Sequence, residues 1–368
     1  MSLVPWMVVA IGVGGVLIGA APSLAVEVTR RDFRVTTADG VGLAVREVRP
    51  AGTAESAEPL ILVHGARVPG LASFDLDAAG GSLAADLARR LGRVVFVLDA
   101  RGYGGSDRPE AMSRPARESR PLSRAFAVVR DIDAVVEAAR ERTGAGAVGL
   151  LGWATGGMWS AYYASLWPEK VNRLIVLNAL YGGGDVHPTL GPGSANADPQ
   201  DRRRFNRNTG GYALYERSSL FPTWDRTIPI SDKSAWRDPA VAEAYGRAAL
   251  ASDPESEKRV PATFRAPLGA IEDSFYQASG RRLFDAASIS AHLLVIRAEF
   301  DFWSRPEDVE ALVRDASRAS GVRVVALPQA THFVHLDRPE RGRDALLTEI
   351  DALFSRTADQ NVMPSAER

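Results

Sequence analysis

One stretch limits the fold more than any other: an apolar strand that runs into a glycine-flanked turn and then directly into a helix. It reads Leu150-Leu151-Gly152-Trp153-Ala154-Thr155-Gly156-Gly157-Met158, and the helix is predicted over residues 158–166. Such a turn is so tight that its central residue is strained and its neighbours must be small. The turn therefore holds the side chain at position 154 above the end of a sheet, beside the amino end of a helix.

Short apolar runs recur along the chain, most of them followed by a glycine-rich turn or a helical stretch. They cover residues 60–63, 94–98, 147–151, 174–177, 293–296 and 322–326. A helical pattern covers residues 123–142, and an alternating stretch over 33–49, split at Ala38-Asp39-Gly40, predicts a β-hairpin. Continuous apolar strands alternating with amphipathic helices predict the α/β class, with a mostly parallel sheet covered by helices on both faces.

The strand rhythm stops between residues 182 and 287, a stretch rich in aromatic residues, proline and charge. It is too long for a simple loop. We predict that residues 182–287 form a mainly helical cap, with a helix near 239–251, above the carboxyl ends of the strands, where ligands bind in open α/β sheets. The core would then comprise residues 26–181 and 288–356.

The first 25 residues resemble a targeting segment. An apolar run from Trp6 to Ile18 is followed by Ser23-Leu24-Ala25, with small residues where a leader would be cleaved, although no Lys or Arg precedes the run. We predict a signal peptide and a periplasmic or secreted protein. The alternatives are a membrane anchor, because residues 3–24 are just long enough to span a bilayer, and a buried apolar start to the fold. Residues 357–368 are polar and aperiodic and predict a flexible tail.

Composition narrows the classes of function. The 44 Lys and Arg residues nearly balance the 45 Asp and Glu residues, and no clustered positive excess suggests binding to nucleic acid. The chain has no cysteine, which excludes disulfides, thiolate metal sites and a cysteine nucleophile. Its five histidines do not form a His-Glu-x-x-His motif. We expect neither a metal nor a cofactor, and the oligomeric state stays open.

Three segments fall where a nucleophile at position 154 would need them. Asp301 follows strand 293–296, where it could orient a histidine, and Glu299 is its nearest competitor. His332 follows strand 322–326. The segment His64-Gly65-Ala66-Arg67 follows an earlier strand, so that the backbone N–H groups of Ala66 and Thr155 would together form an oxyanion hole.

In this order the motifs resemble those of the α/β-hydrolase superfamily. The resemblance covers nearly all of residues 30–355 outside the cap. It rests on His64-Gly65, Asp99-Ala100-Arg101-Gly102-Tyr103-Gly104-Gly105-Ser106, the turn at 154, Ala298-x-x-Asp301 and His332-Phe333-x-His335-Leu336. It implies a triad with Asp301 as acid and His332 as base. The serine of the superfamily is absent, because position 154 holds Ala154, so the chain as written should form no acyl-enzyme.

Two explanations of Ala154 stay open. One is a deliberate Ser→Ala replacement, which stops turnover and keeps substrate bound, and the other is a natural pseudoenzyme. We favour replacement, because His332, Asp301 and the oxyanion loop have no obvious use without a nucleophile. The predicted function is then a serine hydrolase acting on carboxylic esters of small or medium-sized, partly apolar molecules. An amide, lactone or carbon–carbon bond hydrolase and a non-catalytic binding protein are the alternatives.

Three more residues are candidates for binding substrate. Trp153 flanks position 154, and packing is its alternative role. Arg67 lies in the oxyanion loop, where it could meet a substrate carboxylate, and a structural salt bridge is its alternative. Trp224 is one of several cap aromatics that predict a largely apolar pocket. His335 is expected to be structural and to pack near the loop that carries His332.

Overall fold

The apolar runs of the sequence become neighbouring strands in the computed structural model of the protein, which describes residues 26–54 and 56–355. Eight strands form one sheet in the order β1-β2-β4-β3-β5-β6-β9-β10, and β7 and β8 form a separate antiparallel pair. The strands are β1 (Val28–Thr36), β2 (Gly42–Pro50), β3 (Leu60–Val63), β4 (Val95–Leu98), β5 (Val148–Trp153), β6 (Val171–Leu177), β7 (Tyr212–Glu216), β8 (Thr263–Pro267), β9 (His292–Phe300) and β10 (Gly321–Thr331).

Helices cover both faces of the large sheet, because the central strands are apolar on both sides. In β3, Leu60 and Leu62 pack with helices α2 and α9, whereas Ile61 and Val63 pack with α3 and α4 on the opposite face. The helices are α1 (Gly70–Phe74), α2 (Leu83–Leu91), α3 (Ala125–Thr143), α4 (Thr155–Leu166), α5 (Phe221–Thr227), α6 (Pro239–Ala251), α7 (Gly269–Ala278), α8 (Pro306–Asp315) and α9 (Asp344–Ser355).

The predicted mostly parallel sheet is confirmed: the six strands from β4 through β10 in sheet order are parallel to one another. Antiparallel pairing occurs only at β2, which pairs with β1 in the predicted hairpin and with β4 on its other side. The boundaries differ in places. The helix after the turn begins at Thr155 and not at residue 158. Gly156 and Gly157 are poor helix formers, but here they are the residues that fit against the neighbouring backbone, so packing overrides propensity.

The segment predicted as a cap contains α5, α6, α7 and the β7–β8 pair, and the helix predicted at 239–251 is present as α6. The two-stranded sheet was not predicted, because its strands are short and β7 is only half-buried. Side chains of this segment, including Trp224, Trp236 and Tyr245, join the same apolar cluster as the strands of the large sheet. The exact limits of the cap stay a prediction.

The predicted signal peptide, residues 1–25, and the whole of the predicted tail, residues 357–368, lie outside the described residues. Within residues 26–54 and 56–355, none of the helices combines the length and the apolar character needed to cross a bilayer.

The turn after β5 offers a direct test of how the fold positions residue 154. We expect Gly156→Ala to lower the free energy of unfolding by about 3 kcal/mol or more, because the added Cβ would overlap the carbonyl oxygens of Val63 and His64. Gly146→Ala is the matched control: a Cβ there meets open space, so stability should stay within about 1 kcal/mol. Urea unfolding of both variants checks this, and equal stabilities would contradict it.

Candidate active site

Ala154 occupies the strained backbone conformation that the turn requires, with φ 54° and ψ −120°. The residue connects the end of β5 to the start of α4, and its N–H donates to the carbonyl of Leu177 on β6 (2.9 Å). Gly152 and Gly156 approach each other so closely that a Cβ at residue 152 would overlap the backbone of residue 156. The surrounding backbone therefore fixes the direction of the Ala154 Cβ.

His332 and Asp301 form a short buried hydrogen bond, with His332 Nδ1 2.6 Å from Asp301 Oδ1. The carboxylate also accepts from the backbone N–H of Trp303 (3.0 Å) and from the backbone N–H (2.8 Å) and hydroxyl of Ser304. Its competitor Glu299 instead accepts from the backbone N–H of Gln329. Because the Asp301 carboxylate accepts a hydrogen bond from Nδ1, the network assigns the ring proton to Nδ1 and leaves Nε2 as a base.

The main chain at His332 is held by two side-chain donors. Its carbonyl accepts from Trp153 Nε1 (2.9 Å) and from Asn178 Nδ2 (3.2 Å), while Asn178 Oδ1 accepts from the N–H of Ala298 (2.8 Å). Asn178 has φ 52°, a left-handed conformation that asparagine tolerates better than most residues. The ends of β5, β6 and β9 are thus linked to the histidine loop. No role for Asn178 was predicted from the sequence, since an amide cannot serve as the acid of a triad.

The oxyanion loop is fixed by His64, which is completely buried at the end of β3. Its Nδ1 donates to the carbonyl of Gly65 (2.7 Å), and its Nε2 accepts from the N–H of Ala100 (3.1 Å). Burial lowers the pKa of His64, so the ring stays neutral and keeps this pair of bonds. The Tyr103 hydroxyl donates to the carbonyl of Ala66 (2.8 Å). The loop is therefore held from both sides.

Ala66 and Thr155 both line the cavity next to Ala154 and His332. Thr155 is the first residue of α4, so its backbone N–H is among the first-turn donors that have no partner within the helix. Its hydroxyl lies 3.5 Å from that of Ser274. The structure thus brings together the two predicted oxyanion residues, the predicted acid and base, and position 154.

The cavity measures about 300 Å³, at the lower end of the range for small-molecule sites. Trp153 and Arg67, two of the residues predicted to bind substrate, line it. Most of the remaining wall is apolar, and of these wall residues only Phe333, in the His332 motif, was named from the sequence: Leu190, Leu220, Leu268, Ile271, Phe302, Trp303 and Phe333. Among the described residues, no group of three or more His, Cys, Asp or Glu side chains is placed to hold a metal ion.

The prediction that Trp224 binds substrate is not supported, because its side chain lies behind the cavity wall. It is fully buried, stacks on Phe333 with ring centroids 4.8 Å apart, and is absent from the lining. A buried indole N–H needs an acceptor, and Trp224 finds one in Asp337 Oδ1 (2.8 Å). Its contribution is therefore to support Phe333 from behind.

Arg67 makes no ion pair with a carboxylate in the described part of the chain, contrary to its structural-salt-bridge alternative. Its guanidinium instead lies over the ring of Tyr215, 4.7 Å from the centroid. The side chain is half-buried and faces the cavity.

Two further histidines support the site without entering the cavity. His335 is completely buried against Trp153, with centroids 4.3 Å apart, and burial holds its pKa well below the usual value, in keeping with the structural role expected for it. His187 donates from Nε2 to the carbonyl of Trp303 (2.8 Å) and accepts at Nδ1 from the N–H groups of Thr189 and Leu190 (both 3.1 Å). The cavity wall at 189–190 is thereby tied to the loop that bears Asp301.

The family model for the α/β-hydrolase fold matches residues 58–339, which is most of the chain and contains every residue of the site. This chain belongs to the α/β-hydrolase fold family. Comparison of the hydrolase with curated proteins gave no match.

Solved structures share the fold with this hydrolase at low sequence identity. A hydrolase from Pseudomonas aeruginosa PA01 is 17% identical with a TM-score of 0.53, over 89% of this chain and 99% of that chain. A meta-cleavage product hydrolase from Pseudomonas fluorescens IP01, a serine-to-alanine mutant complexed with acetates, is 17% identical with a TM-score of 0.53, over 90% and 98%. An esterase from Exiguobacterium antarcticum is 14% identical with a TM-score of 0.52, over 89% and 100%.

Asn178→Asp tests the link between the strand ends and the histidine loop of the hydrolase. The substitution keeps the left-handed backbone but places a carboxylate oxygen against the carbonyl of His332, so we expect a loss of about 1–3 kcal/mol in the free energy of unfolding. Asn208→Asp, at an exposed position, is the control. Urea unfolding measures both, and an unchanged Asn178→Asp variant would rule out this role.

Asp337 predicts a specific pH dependence of stability. Burial raises its pKa from 3.8 to about 7, although it accepts hydrogen bonds from Trp224 and Thr331 (2.6 Å from Thr331 Oγ1) and has Arg237 nearby. The native state then binds more protons than the unfolded state between these two pKa values. The contribution of Asp337 to stability therefore falls as pH rises from 3.8 to about 7, and levels off above.

Asp337→Asn removes this titration. Between pH 5 and pH 8, the free energy of unfolding of the unchanged chain should fall more than that of the variant, by on the order of 2 kcal/mol. Urea unfolding across this range gives the difference, with Asp185→Asn, at an exposed position, as the control. Parallel pH profiles for all three proteins would show that Asp337 does not titrate there.

Proposed function

We propose that this protein is a serine hydrolase of carboxylic esters, present as a form in which alanine replaces the nucleophile at position 154. The observation that carries the proposal is the buried His332–Asp301 hydrogen bond of 2.6 Å, beside a turn that keeps the strained backbone of a nucleophile elbow at Ala154. This strain costs on the order of 1–3 kcal/mol and has no evident use at an alanine. As written, the chain binds substrate and does not turn it over.

In the serine form, the hydroxyl at position 154 attacks the ester carbonyl while His332 Nε2 takes its proton. Asp301 holds the imidazole in the required tautomer and stabilises the imidazolium. The N–H groups of Ala66 and Thr155 bind the oxyanion. The protonated His332 then gives its proton to the leaving alcohol, and the same residue, again as a base, activates the water that releases the acid and regenerates the serine.

The cavity supports a substrate of modest size. A volume of about 300 Å³ with walls of leucine, isoleucine and aromatic side chains suits a small, partly apolar acyl or alcohol group. The structural neighbours named above include an esterase and a meta-cleavage product hydrolase, so the fold alone does not choose the bond. The ester is favoured because its alcohol leaves more readily than the amine of an amide, so that a triad and an oxyanion hole are sufficient for its hydrolysis.

Ala154→Ser should create hydrolysis of p-nitrophenyl esters with a kcat at least about 10⁴-fold above any rate of the Ala154 chain, because removal of the nucleophile serine typically costs about 10⁶-fold. Stopped assays of both proteins on acyl chains of increasing length measure it. Ala240→Ser, which adds a hydroxyl at an exposed position of α6, is the matched control and should stay inactive.

In the serine form, Asp301→Asn should lower kcat by roughly 10⁴-fold, since the imidazole then loses its tautomer. If the serine form cleaves no ester while it remains folded, the ester proposal fails. Amide and carbon–carbon substrates, or a role in binding alone, would then take its place.

A further inference from the structure

The cavity carries an unbalanced positive charge. Two arginines, Arg67 and Arg226, line it, and its lining contains no aspartate or glutamate. Neither arginine forms an ion pair within the described part of the chain. Neighbouring Arg237 behaves differently: its guanidinium is 2.8 Å from the carboxylate of Asp225. The two cavity arginines therefore differ from Arg237 in having no carboxylate partner. A shortage of acidic residues in this region does not explain the difference.

Arg67 is held in place by a contact that leaves its hydrogen-bond donors free. The guanidinium carbon lies over the ring of Tyr215, 4.7 Å from the centroid. A cation–π contact uses the face of the group, whereas the N–H donors of arginine point outward in its plane and match a carboxylate in a bidentate arrangement. Arg67 is thus held in position while its positive charge has no carboxylate partner, as expected of a side chain that binds an anionic ligand.

Two other features fit an anion at this point. Arg67 directly follows Ala66 of the oxyanion loop, so an anion that it binds lies close to the reacting carbonyl. Tyr245 also lines the cavity. The charge of Arg67 lowers the pKa of the Tyr245 hydroxyl, but burial has the larger effect and raises this pKa. The phenol therefore stays protonated and can act as a hydrogen-bond donor to a carboxylate. Apolar residues such as Leu220, Leu268 and Ile271 complete the wall.

We propose that the substrate carries a carboxylate in addition to its ester, and that Arg67 binds this carboxylate, with Arg226, an exposed residue of the cavity lining, adding to the attraction. The substrate class is the half-ester of a small dicarboxylic acid, or an ester whose short alcohol carries the carboxylate. This proposal rests on the ester hydrolase function proposed above. Arg67 has the larger share, because it is half-buried whereas Arg226 is exposed and better screened by water.

The first experiment uses matched pairs of esters in which one partner carries a free carboxylate and the other carries the same group as a methyl ester. Monomethyl and dimethyl glutarate place the carboxylate on the acyl side, and 4-acetoxybutanoate and its methyl ester place it on the alcohol side. For the Ala154→Ser protein, kcat/KM for one of the two anionic esters should exceed that of its neutral partner at least tenfold, after correction for the two equivalent groups of the diester. The arm that shows the preference identifies the side of the ester that faces Arg67.

Variants assign the preference to its residues. Arg67→Gln should reduce the ratio of the two kcat/KM values about tenfold or more, and Arg67→Lys should restore part of it, because lysine keeps the charge but not the planar fork. Arg226→Gln should reduce the ratio less, by about two- to fivefold. Arg318→Gln removes an exposed arginine outside the cavity and should leave the ratio unchanged.

A binding measurement separates this proposal from the proposed function. This measurement uses the Ala154 chain, because binding requires no turnover of substrate. Trp153 and Trp303 in the cavity wall report ligand binding through their fluorescence. The Ala154 chain should bind monomethyl glutarate or 4-acetoxybutanoate at least tenfold more tightly than the neutral partner, and Arg67→Gln should abolish the difference.

The outcomes are distinguishable. If the serine form cleaves neutral esters at least as well as anionic ones, and Arg67→Gln changes no ratio, the carboxylate proposal is overturned while the hydrolase proposal stands. If the serine form cleaves no ester but the Ala154 chain still binds the anionic compounds through Arg67, the ester function fails and the anionic ligand class stands.

Discussion

The strained backbone at Ala154 is the constraint on which the rest of the site depends. A left-handed φ followed by an immediate helix is stable only because Gly152 and Gly156 let the turn press against the backbone of β3 and of the turn itself. This close packing places the start of α4, with its free N–H donors, beside the oxyanion loop. The strain is kept although the residue is an alanine, so the scaffold does not need the nucleophile in order to form.

The histidine loop depends in turn on the strands that flank this turn. Side chains from the ends of β5 and β6, Trp153 and Asn178, both donate to the carbonyl of His332. Asp301, after β9, holds the imidazole of the same residue. The main chain and the side chain of His332 are thus fixed by separate groups, all carried on adjacent parallel strands. A reacting group held in this way loses little orientation when substrate enters.

The order of the motifs was sufficient to predict the α/β fold and the meeting of residues 66, 154, 155, 301 and 332, because each motif ends or follows a strand and the ends of parallel strands share one edge of the sheet. The wall of the cavity was less predictable. Trp224 and Tyr245 are both aromatic residues of the same segment, yet Trp224 stacks behind Phe333 and Tyr245 reaches the cavity. Which face of an irregular segment turns inward depends on packing that no local pattern records.

By itself, the sequence determined the strands of the large sheet, the tight turn at residue 154, the absence of a serine there and the acid and base that would serve one. These follow from local rules: apolar periodicity, glycine at sites of close approach, and residues that immediately follow strands. Only the tertiary structure decided that Asn178 supports His332, that His187 ties the cavity wall to the Asp301 loop, and that Arg67 faces the cavity without a carboxylate partner. The physical reason is that hydrogen bonds and ion pairs between distant segments depend on distances that exist only after the sheet has formed and its helices have packed.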